Sequence, residues 1–186
     1  PGAGPVTSPS GLAQITNFVD KADINNMTVR VYGTDLLGNI WRFDVNNNTP
    51  PTGREATLVG VATDSAGVPQ PITVRPELTE VGGKPMLFVA TGRLLGATDV
   101  SDLQTQSLYG IVDRIGATTA FPNLRAALAP LAMTQTAGNT TRTVSCTGST
   151  STCSTTDGGR IDLPDPGGAL NVAMKLAPDP PRAGAH

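Results

Sequence analysis

Few residues in this sequence could do chemistry, and most are badly spaced for it. The single histidine is His186, the final residue, so a Ser-His-Asp or Cys-His relay would lack its base. The two cysteines, Cys146 and Cys153, flank the polar stretch Thr147–Thr152. Two thiols make half a zinc site, and no Cys-x-x-Cys is present. No glycine loop of the Walker or dinucleotide-binding type occurs, so no phosphate cradle is indicated. The carboxylate pairs Asp99/Asp102 and Asp162/Asp165 fall in polar stretches and read as solvated turn residues rather than the acid and base of a glycosidase. One oxygen-rich cluster runs from Asp20 to Asn26. Asp23 and Asn25 stand at the alternate positions a calcium loop uses, but Lys21 takes the preceding one and the next carboxylate is Asp35. The sequence thus predicts a polar turn there, with Asp20, Asp23 and Asn25 as a weak calcium set. It predicts no catalytic residues and no cofactor.

The composition says what must position such residues. Charged residues are 15% of the chain, and 21 Gly and 16 Pro occur among 186 residues. Few charges and many turn formers suit many short strands. The net charge is -2 and the pI about 5.2. With no basic surplus, nucleic acid is not expected as a partner. No apolar run approaches the ~20 residues of a membrane helix. The start, Pro1-Gly2-Ala3-Gly4-Pro5, has neither Met nor a signal-peptide pattern, which reads as an excised piece of a longer precursor.

Along the chain, Pro1–Gly11 is Pro/Gly/Ser-rich and reads as an arm. Thr28–Val45 predicts a hairpin: a strand near Thr28–Gly33, a turn at Leu36-Leu37-Gly38-Asn39, and a strand near Asn39–Val45. Further strands are expected at Glu55–Ala62, Gln70–Arg75, Lys84–Thr91 and Gln106–Asp113. Leu124, Ala127, Leu128 and Leu131 have helical spacing, but Pro122 and Pro130 limit any helix to two turns. Gln135–Thr156 reads as an exposed loop or loose hairpin. Arg160–Leu163 and Ala169–Met174 read as last strands, and Ala177–His186 as an unstructured tail.

Two stretches repeat. Val31-Tyr32-Gly33-Thr34-Asp35-Leu36-Leu37-Gly38 aligns without gaps on Val89-Ala90-Thr91-Gly92-Arg93-Leu94-Leu95-Gly96. Each is followed by an aromatic strand closing on aspartate, Trp41 to Asp44 and Tyr109 to Asp113, with an insert at Ala97–Thr105 in the second copy. A strand, a Leu-Leu-Gly turn and an aromatic strand fit the hairpin of a propeller blade, and the offset fits blades with loop insertions. Trp41, Asp44, Tyr109 and Asp113 are therefore read as structural. Trp41 is expected to pack between sheets with its N–H on a backbone acceptor.

The segment Arg30–Val45 (RVYGTDLLGNIWRFDV) resembles the strand-turn-strand signature of the type IV pilus tip-adhesin and pilus-biogenesis (PilY) family. Gln70–Leu78, Leu87–Asp113 and Asp162–Val172 are similar to further stretches of its C-terminal propeller, in the same order. The resemblance implies an all-β, quinoprotein-like partial β-propeller of about three to four blades with long loops. It divides into an arm at 1–14, the propeller at 15–176 and a tail at 177–186. It also implies a non-enzymatic, extracellular role at the bacterial surface in pilus assembly, twitching motility and adhesion. The partners implied are minor pilins at the pilus tip and a host or abiotic surface, met by the loops Ala97–Thr105 and Gln135–Thr156. Some family members carry a calcium loop before the Arg-Val-Tyr strand; here Lys21 and Val29 replace expected ligands. TDLLGNIWRFD also resembles the Trp-docking pattern of quinoprotein enzymes, and a generic sugar-binding or scaffold propeller is a further alternative. An open arc of blades would leave one face of Lys84–Thr91 and Gln106–Asp113 partly exposed.

An exported protein meets an oxidising compartment. The stretch Thr147–Thr152 is small and flexible enough to bring two Cα atoms to the ~5.5 Å a disulfide needs. We predict that Cys146 and Cys153 are joined, adding about 2–3 kcal/mol on the chain-entropy account. Thiol titration of the non-reduced, exported protein should find neither; two titratable thiols would disprove the bond.

Overall fold

Alternation of apolar and polar residues builds nearly every element. In the computed structural model, residues 4–45, 56–117, 119–135, 142–146 and 157–163 are described. The strands are β1 (Leu12–Val19), β2 (Thr28–Asp35), β3 (Asn39–Asp44), β4 (Ala56–Val61), β5 (Glu77–Val81), β6 (Lys84–Ala90), β7 (Gln106–Val112), β8 (Thr119–Phe121), β9 (Ala129–Gln135), β10 (Arg142–Cys146) and β11 (Gly158–Leu163). A 3₁₀ turn spans Ala97–Ser101, and one helical turn, α1, spans Leu124–Ala127. Asn123 caps α1 by accepting the Ala126 N–H at 3.1 Å, and Pro130 cannot extend it.

The strands make two sheets, ordered β1-β2-β3-β4-β8 and β10-β9-β11-β7-β6-β5. Each holds a blade-sized unit of antiparallel neighbours, β1 to β4 in the first and β5, β6, β7 and β11 in the second. Each unit then takes one parallel strand at an edge: β8 beside β4, and β9 beside β11. The segment β8–α1–β9 therefore belongs to both sheets and ties them together. The repeated hairpins are β2–β3 and β6–β7, the middle of each unit.

The core lies between the sheets. Tyr32, Ile40 and Val59 come from the first; Leu87, Val89, Tyr109 and Ile111 come from the second; Phe121, Leu124 and Leu128 close it from the tie. Burying each large side chain is worth about 1.5–3 kcal/mol. A charged pair crosses this core. Arg42 on β3 donates from Nη1 to both carboxylate oxygens of Asp113, just after β7, at 2.8 and 2.9 Å. The Tyr32 hydroxyl donates to Asp113 Oδ2 at 2.7 Å. Burial, and then the Asp113 charge, push the Tyr32 hydroxyl far above its ordinary pKa.

Several expectations need correction. The described residues form two sheets rather than three to four blades, because long loops and the β9–β10 hairpin use chain that the estimate gave to further blades. β1 begins at Leu12, inside the expected arm at 1–14, and pairs with β2. Gln70–Arg75 is not a strand: with Pro71 inside it and Pro76 after it, only a bridge from Ile72 to Gly92 remains, with Ile72 buried in the core. Trp41 does not lie between the sheets. β3 turns Ile40 and Arg42 inward, so Trp41 stands half-buried on the opposite face. Its Nε1–H goes to the Asp35 carboxylate at 3.0 Å, not to backbone. Lys84–Thr91 and Gln106–Asp113, by contrast, do leave one face partly exposed, with outward Phe88 and Leu108 at 41% and 37%. Cys153, Asp165, Ala169–Met174 and Ala177–His186 lie outside the described residues.

Removing one partner of a buried ion pair leaves the other charge unsolvated. Asp113→Ala should lower the unfolding free energy by about 3–5 kcal/mol, read from urea denaturation. Arg42→Met combined with Asp113→Leu should recover most of that loss. A single variant as stable as the wild type would show that the pair does not hold the sheets.

Candidate functional site

The first repeated turn is organised by one carboxylate. Asp35 Oδ1 accepts the N–H groups of Leu37 and Asn39, each at 2.9 Å. Its Oδ2 accepts Asn39 Nδ2 at 2.9 Å and Trp41 Nε1 at 3.0 Å. Gly38 has φ +75, and a Cβ there would stand 2.5 Å from the Ala62 carbonyl oxygen. Only glycine suits both conditions.

The second turn reaches the same result differently. Arg93 occupies the position of Asp35, and the carboxylate comes from the insert. Asp99 Oδ2 accepts the Leu95 and Gly96 N–H groups at 2.8 and 3.1 Å. Its Oδ1 accepts Arg93 Nε at 2.9 Å. Leu37 and Leu95 are equivalent in the repeat, so both turns satisfy the same N–H with an aspartate. Asp99, read from sequence as a solvated residue, is 5% exposed.

The two turns converge on an open groove of about 730 Å³. Leu36 and Leu37 line it from the first turn, and Arg93, Asp102 and Gln104 from the second. Asp64, Val68, Pro69 and Pro71 line it from the loop after β4. Gln104 joins the walls: its Nε2 donates to Asp64 Oδ2 at 2.9 Å and to the Pro69 carbonyl at 3.1 Å. Its backbone N–H donates to Asp102 Oδ1 at 2.9 Å. Leu95 of the second turn, Val100 and Leu103 of the insert and Val68 of the wall are exposed at 68%, 51%, 72% and 51%.

Behind the groove, a polar network fixes its floor. The Tyr109 hydroxyl donates to Gln70 Oε1 at 2.7 Å, and Gln70 Nε2 donates to the Thr105 carbonyl at 2.6 Å and to Ser107 Oγ at 3.0 Å. Arg125 on α1 donates to the Thr63 carbonyl at 2.8 Å and to both oxygens of Asp162 at 2.7 and 2.8 Å. Asp162 is thus the anchor of β11, not a solvated turn residue.

The electrostatics argue against acid–base chemistry. The Gln104 hydrogen bond holds Asp64 below the ordinary carboxyl value, and the Leu95 N–H, with Arg93, does so for Asp99. Burial pushes Asp162 up, but hydrogen bonds from Arg125 and Ser107 outweigh it and the net shift is downward. A general acid or base is tuned toward its working pH, and these groups are tuned away from neutrality. Among the described residues, no group of three His, Cys, Asp or Glu could hold a metal. Asp20, Asp23 and Asn25 fall in an exposed turn, where Asn25 Oδ1 is occupied by the Met27 N–H at 3.0 Å.

The structure brings Tyr109 and Asp113 into the inter-sheet core, with the Tyr109 hydroxyl also bonded to Gln70. Trp41 serves the Asp35 turn, and Asp44 stands opposite Arg30 at the open end of the β2–β3 ladder. Cys146 ends β10. Arg42, Asp35, Gln70 and Arg125 were not singled out from sequence. The one available signal was for Asp35: an aspartate two residues before a leucine-glycine turn is a common turn acceptor.

No protein-family model matches the chain. It is 34% identical over 112 residues to a type IV pilus biogenesis factor PilY1 homolog of Xylella fastidiosa, covering 58% of this chain and 8% of that protein. A second such homolog of that organism is 32% identical over 101 residues, or 49% of this chain and 7% of the other. The chain therefore spans less than a tenth of these relatives. In fold it is similar to the crystal structure of the Pseudomonas aeruginosa PilY1 C-terminal domain: TM-score 0.64, 24% identity, covering 87% of this chain and 40% of the other. The resemblance to the PilY family read from the sequence is borne out by the two sequence matches, and the all-β fold by the structural one.

Asp64, Asp99, Asp157 and Asp162 are all held below 3.8 when folded. On acidification the unfolded chain takes up protons first, so acid favours unfolding. Stability should be fully present above about pH 4 and fall as the pH drops through the folded values. Asp99→Asn should cost about 1–3 kcal/mol at neutral pH and flatten the acid slope. Urea midpoints measured across the acid range check both; an unchanged slope would mean that Asp99 does not hold its turn.

Proposed function

We propose that this chain is a non-enzymatic region of a cell-surface protein that serves type IV pilus biogenesis, with the groove between the two Leu-Leu-Gly turns as its contact surface. The observation that carries this reading is the 112-residue match, at 34% identity, to a type IV pilus biogenesis factor. The groove's chemistry supports it. Its carboxylates Asp64 and Asp102 already accept hydrogen bonds, and Leu36, Leu37, Val68, Pro69 and Pro71 give it apolar walls beside the Arg93 guanidinium. Leu95, Val100 and Leu103 stand on a loop that Asp99 holds in place, so little ordering entropy would be lost on docking.

In this reading the partner is a minor pilin at the pilus tip, and the same exposed insert supports twitching motility and adhesion to a host or abiotic surface. The Cys146–Cys153 bond is part of the proposal, as a staple suited to the extracellular compartment. A sugar-binding propeller fits less well, because among the described residues no aromatic side chain lines the groove for a sugar ring to stack on. A quinoprotein enzyme is less favoured because calcium finds no set of three ligands among the described residues.

The test keeps Asp99 and changes only the displayed side chains. The variant Leu95→Ser/Val100→Ser/Leu103→Ser should keep the urea midpoint of the wild type. In the native bacterium it should reduce surface pili, twitching zone and attachment several-fold. Wild-type values for all three would remove the insert from the account. Wild-type piliation after deletion of the whole gene would remove the pilus reading itself.

A further inference from the structure

The groove between the two turns combines apolar walls with an unbalanced charge. Leu36, Leu37, Val68, Pro69 and Pro71 supply the walls. Three charged side chains also line it: Asp64, Arg93 and Asp102. Arg93 is committed to Asp99, whose Oδ1 accepts from its Nε and lies 2.9 Å from its Nη2. Asp64 and Asp102 have no such partner. No Lys or Arg among the described residues forms an ion pair with either of them. Both are half-buried. A carboxylate partly withdrawn from water attracts a cation more strongly than one on an open surface.

The two carboxylates come from different walls and meet at one residue. Gln104 Nε2 donates to Asp64 Oδ2, and the Gln104 backbone N–H donates to Asp102 Oδ1, each at 2.9 Å. Their remaining acceptor sites say which cation fits. An ionised carboxylate has about four lone-pair sites. Asp64 Oδ1 also accepts the Ala66 and Val68 N–H groups, each at 2.9 Å. Asp64 therefore keeps about one site, on Oδ2, while Asp102 has the whole of its Oδ2. A guanidinium fork takes both oxygens of one carboxylate, and neither aspartate has both oxygens empty. An ammonium is a compact charge with three rotatable donors. It can bridge single oxygens of two carboxylates.

The walls suit the rest of such a side chain. Lysine lays its aliphatic stem along apolar surface while its head reaches polar groups. We propose that the groove receives a lysine side chain of a partner protein, with its stem against Leu36, Leu37, Val68 and Pro69 and its ammonium shared between Asp64 and Asp102. Charge complementarity selects this occupant. An acidic segment would meet two carboxylates that have no counter-ion. A wholly apolar one would bury them uncompensated. That the partner belongs to the pilus apparatus rests on the function proposed above; the lysine rests on the groove itself.

Carbodiimide coupling tests this, because it forms an amide directly between a carboxylate and an amine in contact with it. Cells that make the natural full-length product are treated in the presence of glycine ethyl ester, and the digest is read by mass spectrometry. Asp64 or Asp102 should be found joined to a lysine of another protein. Asp102→Asn keeps the acceptor for the Gln104 N–H and removes one charge, and it should lower the yield of the link from Asp64 by about ten-fold. Asp102→Glu, which keeps the charge, should retain most of that yield. The absence of any such link would overturn the proposal, whether the two aspartates stay unmodified or take up glycine ethyl ester. So would a link to a lysine of the same chain or of a second copy. A link to a protein that piliated cells can lose without losing their pili would keep the lysine and remove the pilus reading.

Discussion

Arg42 and Asp113 meet between the two sheets with their side chains 1% and 0% exposed, and neither charge could stay buried without the other. That requirement fixes more than one contact. A slip of β3 by one residue would turn Arg42 to the outer face and Trp41 inward. The core would then hold an unpaired carboxylate, so the pair selects the register. Asp113 is itself held, its N–H donating to the Pro85 carbonyl at 2.9 Å. The Tyr32 hydroxyl supplies a further donor to the carboxylate from the neighbouring strand. Three strands and the end of a fourth are thereby set relative to one another by one charged cluster. Hydrophobic burial supplies most of the driving force around it, but it is not directional. The ion pair makes one packing of the two sheets better than its neighbours.

The groove inherits its shape from this arrangement. Tyr109 lies on β7 between the ion pair and the groove floor, and its hydroxyl hands the constraint to Gln70. Gln70 in turn holds Thr105 and Ser107, where the insert rejoins the sheet. Arg125 does the same from the other side, joining the loop after β4 to β11 through Thr63 and Asp162. A ligand arriving at the groove would meet walls set by hydrogen bonds, with Val68 exposed on one of them.

The fold was partly legible from the chain alone. The hairpins β2–β3 and β6–β7 showed plainly, because alternation and the Leu-Leu-Gly turn signal are both local. Their repetition also pointed to blade-like units, and the helix confined by Pro122 and Pro130 is one turn long. What did not show depends on partners distant in sequence. In Ile40-Trp41-Arg42-Phe43, alternation allows two inward faces, and hydrophobicity favours Trp41 and Phe43. The structure chooses Ile40 and Arg42, because Asp113, 71 residues away, is waiting on the other sheet. Asp99 and Asp162 looked like solvated turn residues, since their surroundings in sequence are polar. Arg93 and Arg125 pair with them, and only the fold brings Arg125 to Asp162. β1 was read in part as arm because its aliphatic residues lie on an outer face and give no core-facing pattern.

The two Leu-Leu-Gly turns also explain how one end of the fold can carry a variable function on a constant frame. Each turn presents a backbone N–H, at Leu37 or Leu95, that needs an acceptor. In the first turn the acceptor precedes it, at Asp35. In the second the acceptor follows it, at Asp99, inside the insert. The insert is therefore not an appendage on a finished turn; it completes the turn's hydrogen bonding while adding exposed leucine and valine. Because Asp99 meets that structural need while Asp102, Gln104 and Thr105 tie the end of the insert to the walls, the exposed Val100 and Leu103 are the residues of the insert left to be shaped by whatever they touch. The apolar outer face of the first sheet has the opposite character. It is made of the strands themselves, with Ile15, Trp41 and Phe43 on it. Packing and recognition thus fall to different parts of the molecule: the faces of the sheets to the first, the turns at one end to the second.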